Sequence, residues 1–100
     1  MSLPVSPGDF SRRILLCVTG LSPQIVTETL YALAHDTPVF LPTEVHLITT
    51  AEGARLAKTA LLHPDGGQFH ALLTNYPVLD HPRFDDTHIH IITGPDGQPL

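Results

Sequence analysis

A chain of 100 residues can form one small domain with a modest core, and little more. Its 42% hydrophobic and 15% charged residues match a folded globular chain and exclude a disordered one. The net charge of −5, with Arg12, Arg13, Arg55, Lys58 and Arg83 scattered, excludes the basic stripe that grips long DNA or RNA. Any anionic ligand is then expected to be small and held mainly by backbone amides.

Residues 1–11, with Pro4, Pro7 and Gly8, read as a flexible tail. They lack the basic start and apolar middle of a signal peptide. No apolar stretch approaches the roughly 18 residues of a membrane helix. Cys17 is the single cysteine, so there is no disulfide framework, and a cytoplasmic location is expected. As part of an apolar strand, its thiol reads as an inert small hydrophobe.

Residues Arg13 to Val18 are continuously apolar after the arginine, the pattern of a strand covered on both faces. Ser22 is expected to cap the next helix, with Pro23 at its first position, where the missing N–H costs nothing. Ile25, Val26, Leu30 and Leu33 recur at helical spacing, and the helix is expected to fade near His35-Asp36, before Pro38. A second strand is predicted over Glu44 to Thr49. Thr49-Thr50-Ala51-Glu52 then fits a capping box formed by Thr49 and Glu52. The helix behind it runs to about Leu62, with Ala54, Ala57 and Leu61 on one face. His63-Pro64-Asp65-Gly66-Gly67 stops it. Gln68 to Asn75 reads as one more short helix, and Ile89, Ile91 and Ile92 as a third strand ending at Gly94-Pro95-Asp96-Gly97.

The pattern β-α-β-α-β with long crossovers is an α/β, Rossmann-like half of a doubly wound parallel sheet, strand order 3-2-1. The first strand would be an open edge, which soluble proteins avoid. The expectation is therefore that residues 12–100 are the N-terminal part of a single domain continuing beyond residue 100, or that another chain covers the edge.

Ligands of open parallel sheets bind beyond the carboxyl ends of the strands. Here that place is Thr19-Gly20-Leu21-Ser22-Pro23-Gln24. Gly20 allows a tight turn and close approach, and the helix behind offers N–H groups and the positive end of its dipole. Thr19, Ser22, Gln24 and Thr27 add polar side chains. The stretch is neither the dinucleotide G-x-G-x-x-G fingerprint nor a Walker loop.

"VTGLSPQIVTETLYAL" followed by "PTEVHLITTAEGARLAKTALL" resembles the N-terminal half of CRISPR-associated Rossmann-fold (CARF) domain proteins. The resemblance covers residues 13–62 and rests on Ser22-Pro23-Gln24 with Thr27-Glu28-Thr29-Leu30-Tyr31. It implies a homodimeric sensor of cyclic oligoadenylate, the second messenger of type III CRISPR antiviral defence, regulating an effector. It further implies that Thr19, Gly20, Leu21, Ser22, Pro23 and Gln24 contact the messenger, with Thr49, Thr50 and Glu52 flanking an adenine pocket. The family's second ligand loop and effector domain have no counterpart in these residues. Some members cut their messenger with a hydroxyl and a lysine. Ser22 could be the hydroxyl, but no lysine matches, so these residues alone do not support ring-nuclease activity. No cofactor is implied.

Two other readings compete: a nucleotide- or phosphosugar-using Rossmann enzyme, and a serine hydrolase. For the second, Gly20-Leu21-Ser22-Pro23-Gln24 nearly spells a nucleophile elbow, and Asp85 or Asp86 with His88 or His90 would follow in triad order. His88 and His90 also put two imidazoles on one strand face, as a zinc or iron site would begin. No third ligand stands at a set spacing, and alternation with Ile89 and Ile91 is what a half-exposed strand gives. Solvated histidines and no metal are expected. Glu28 reads as a surface carboxylate near the helix dipole, and Tyr31 as packing or part of a dimer face.

Overall fold

The computed structural model describes residues 9–100, so the expected tail falls almost wholly outside the described residues. In chain order the elements are β1 (Ile14–Val18), α1 (Ile25–Ala34), β2 (Glu44–Thr49), α2 (Ala51–Leu62), α3 (Gln68–Asn75) and β3 (Ile89–Ile91). Short 3-10 turns at Pro77–Leu79 and Asp86–His88 precede β3. The strands form one parallel sheet in the order β1-β2-β3. This is the α/β half-sheet that the periodicity predicts.

Register fixes which residues share a face. Cys17 pairs with Leu47 and Leu47 with Ile89, while Leu15 pairs with Val45. Because side chains alternate along a strand, these residues point to one side. That side is the core, where Cys17, Val45, Leu47 and Ile89 cluster with Val26 and Leu30 of α1 and Ala54, Ala57 and Leu61 of α2. Phe69 of α3 joins them and meets Phe84 edge to face, with ring centroids 5.2 Å apart. Each wholly buried leucine or valine here contributes about 1.5–3 kcal/mol over its exposed state.

The opposite face differs from expectation. Ile14, Leu16 and Val18 are 45%, 56% and 68% exposed, so β1 is covered on one face and not on two. The reason is topological: α1 and α2 both pack on the Cys17–Leu47–Ile89 side, and β1 pairs only with β2 among the described residues. An unbroken apolar strand thus borders an open sheet face.

The chain after β3 turns back on itself at the predicted Gly94–Gly97 turn. Gly97 adopts φ +78°, and its N–H donates to Gly94 O at 2.9 Å. Leu100 then donates to Ile92 O at 2.8 Å and accepts from the N–H of Ala51, the first residue of α2.

Candidate functional site

The β1–α1 junction lies beyond the carboxyl end of the sheet, as β1 runs directly into it. Its helix starts later than the sequence suggests. Gln24, in the right-handed helical region, is the N-cap, and no side chain caps α1. Ser22 contributes its carbonyl: it accepts from Ile25 N–H at 3.4 Å and from the Thr19 hydroxyl at 3.0 Å. Val26 N–H likewise donates to Pro23 O at 3.2 Å. Pro23 and Gln24 therefore form a tight turn ahead of the helix. The expected Ser22 cap is absent because the chain is already coiled at Gln24, leaving the serine hydroxyl outside.

This arrangement leaves backbone donors unmatched. The N–H groups of Gly20, Leu21, Ser22 and Gln24 have no acceptor among the described residues, and all four residues are exposed. Such a run of oriented amides at a helix start suits a small anion. Gly20 does not need a positive φ here, contrary to the tight-turn reading, and a Cβ at Gly20 would meet nothing within 4 Å. The space in front of it is open.

A second helix start is packed against the same loop. The cap of α2 is Thr50, whose hydroxyl oxygen accepts from Gly53 N–H at 3.1 Å; Thr49 does not form the expected box. Thr49 is instead the last residue of β2, facing inward like Val45 and Leu47, and wholly buried. Its hydroxyl donates to Gly20 O at 3.1 Å, tying the β2–α2 turn to the first loop. Glu52 turns to Arg55 in an exposed ion pair. The approach is close enough that a Cβ on Gly53 would stand 2.0 Å from Thr49 Oγ1 and 2.3 Å from Gly20 O.

The candidate ligand residues are thus brought together unevenly. Gly20, Leu21, Ser22 and Gln24 share the exposed loop, while Pro23 and Thr49 are buried beneath it. Thr19 is half-buried, its N–H on Ile48 O. Thr50 and Glu52 stand at the adjoining helix start. Thr27 is apart: its hydroxyl donates to Gln24 O, and it lines a groove of about 340 Å³ between α1 and α3 with Glu28, Tyr31, Gln68 and Tyr76. Tyr31, 44% exposed, stacks on His35 and is edge-on to Tyr76. Cys17 is buried, and burial pushes its thiol pKa up.

The hydrolase constellation is not assembled. Asp85 and His88 precede β3, at the amino end of the sheet, whereas Ser22 follows the carboxyl end of β1. The Asp85 carboxylate accepts from the Thr87 hydroxyl, which chiefly holds it below the usual carboxylate pKa, and from Thr87 N–H at 2.9 Å. Asp86 is exposed on the same 3-10 turn as His88.

The expectation of solvated histidines holds for His90 and fails for His88, which is 7% exposed. Its Nδ1 lies 2.9 Å from Val45 O and 3.1 Å from Arg83 O, and its ring stacks on His46 at 4.2 Å. The parallel register brings His46 and Glu44 of β2 beside it, two residues that single-segment reading missed. The available signal was a histidine at the middle of the central strand, out of phase with Val45 and Leu47.

Residues 22–100 match the family model described as CRISPR-associated protein NE0113. No curated protein and no solved structure matches the chain. Among the described residues, no helix is long and apolar enough to cross a membrane.

Proposed function

The chain belongs to the CRISPR-associated protein NE0113 family, and from that premise we propose that it is a cytoplasmic sensor of cyclic oligoadenylate in type III CRISPR antiviral defence. The messenger binds at the β1–α1 junction of a homodimer and thereby regulates an effector. The observation that carries this reading is the set of four amides on Gly20, Leu21, Ser22 and Gln24, next to the start of α1, that have no acceptor among the described residues. Each phosphodiester carries one negative charge and oxygen acceptors, which oriented amides and the helix dipole attract without lysine or arginine. The acidic chain agrees with such a backbone-built site and not with a long nucleic acid.

Leu21 and Ile25, 63% and 39% exposed, give apolar surface beside the amides for the flat face of a base. Thr50 and Glu52, at the adjoining helix start, supply polar atoms at the rim. Thr49 acts through the Gly20 carbonyl that it holds. A cyclic messenger with two-fold symmetry suits two copies of one loop, and the uncovered β1 gives the chain a reason to pair. In this reading residues 12–100 are the N-terminal part of a CARF domain. Cleavage of the messenger is outside the proposal, since no lysine matches the family's and Ser22 has no paired base among the described residues.

Calorimetry of the full-length protein with cyclic tetra- and hexa-adenylate, against linear tetra-adenylate, tests the reading. One ring per two chains, with the linear form much weaker, is expected. Ser22→Trp should fill the mouth of the loop and abolish binding while the protein stays folded. Binding of neither ring, or unchanged binding by a folded Ser22→Trp variant, would overturn the assignment. A nicotinamide or flavin held by a single protomer would favour a Rossmann enzyme instead, and fluorophosphonate labelling of Ser22 a hydrolase.

A further inference from the structure

We infer that Glu44, His46 and His88 form a binding site for a divalent transition-metal ion of the zinc class, on the sheet face that the helices leave open. The site is independent of the β1–α1 loop: Glu44 opens β2 and His88 immediately precedes β3, so it lies toward the amino end of the sheet.

The three side chains each offer a ligand atom, and these atoms lie within 4.8 Å of one another. Zinc bonds to imidazole nitrogen and carboxylate oxygen are about 2.0–2.2 Å long, so the donors must draw together, and the partly exposed His46 ring, stacked 12° from parallel with His88, must turn out of that stack for both lone pairs to meet at one ion. Two neutral imidazoles with one carboxylate suit zinc, nickel, cobalt or iron(II) and not calcium or magnesium, which prefer oxygen alone. A set of three protein ligands leaves further positions open to water or another ligand.

The surrounding contacts prepare these donors. His88 Nδ1 faces only carbonyl oxygens, those of Val45 and Arg83, so it carries the ring proton and leaves the Nε2 lone pair free. Its burial fixes the ring. His46 has Nε2 3.4 Å from Glu44 Oε1 and Nδ1 3.0 Å from His90 Nε2. When His46 Nε2 binds the ion, its proton is held on Nδ1 and donated to His90 Nε2, while the proton of the exposed His90 moves to its own Nδ1. Proton number is conserved in both rings. The Glu44 carboxylate is oriented by Arg12, which donates Nε–H to Oε2 and Nη2–H to Oε1 at 3.2 Å. His90 and Arg12 are therefore positioning residues for the ligands.

Titration of the untagged full-length protein with Zn²⁺ tests the site, read both by calorimetry and by the imidazole ¹⁵N resonances. One ion per chain is expected, with the Nε2 signals of His46 and His88 shifting together and those of His63 and His70 unmoved. His46→Gln and Glu44→Gln should each weaken binding by at least about tenfold, since removing even an outer partner of a ligand costs that much. The double change His63→Gln with His70→Gln, in a groove lined by α2 and α3, should leave it unchanged. Absence of saturable Zn²⁺ binding, or equal losses in the control, would overturn the inference. Should the variants fail to fold, the wild-type resonances decide alone: shifts confined to other histidines reject the site.

Discussion

Gly20 and Gly53 meet across one hydrogen-bonded turn, yet adding a methyl to each should have opposite effects. At Gly53 the new Cβ would fall 2.3 Å from the Gly20 carbonyl, which cannot swing away as a side-chain tip could. Gly53→Ala should therefore cost about 1–3 kcal/mol of stability, the usual range for overpacking a tight contact. It should also displace the loop, so ligand affinity falls with stability. At Gly20 the methyl would enter open space, and no positive φ is required. Gly20→Ala should keep stability within about 1 kcal/mol of wild type, because its main effect is on the unfolded chain. Affinity for the cyclic messenger should nonetheless drop, by about tenfold for each 1.4 kcal/mol by which the methyl weakens the amide–phosphate approach. Urea unfolding and calorimetry on the two variants separate the effects. If both lost stability equally, the open space before Gly20 would be wrong.

At the scale of elements, sequence legibility depended on how far each signal reaches. The apolar run Ile14–Val18 and the alternation of Val45 and Leu47 announce strands, although β1 is covered on one face and not on the two that its run predicts. The spacing of Ala54, Ala57 and Leu61 announces a helix face, and all of these elements are present. Caps were less legible, because they depend on a backbone angle and a strand phase. Thr49 and Thr50 look alike in sequence, but strand alternation sends Thr49 into the core and leaves Thr50 to cap. Ser22 looks like a cap, but coiling at Gln24 displaces it. These differences are measurable. Thr50→Ala should destabilise the protein by about 1 kcal/mol, as loss of an N-cap does, whereas Ser22→Ala should be nearly neutral. Equal losses by thermal unfolding would restore Ser22 as the cap. The histidine cluster was illegible for a different reason. His46 and His88 are far apart in the chain, and only the pairing of Leu47 with Ile89 makes them neighbours.

For the whole molecule, the unbalanced feature is β1. Its Leu15 and Cys17 side packs into the core, while Leu16 and Val18 meet solvent and its outer backbone edge pairs with nothing among the described residues. An apolar edge strand is a template for pairing, and soluble proteins cover or charge such edges. None of Ile14 to Val18 is charged. A second copy of the chain is the cover that the sensor reading calls for, since two junction loops must then face one ring. Sedimentation equilibrium of the protein should accordingly show a dimer at micromolar concentration. Leu16→Glu should weaken it by tenfold or more, about 1.4 kcal/mol or greater. Because Leu16 is 56% exposed, the same change should alter monomer stability by no more than about 0.5 kcal/mol. Ring binding should weaken in step with dimerisation, because each ring needs two loops. A wild-type protein that stays monomeric, or a Leu16→Glu variant that dimerises and binds as before, would place the two-fold elsewhere and separate the β1 face from the sensing site.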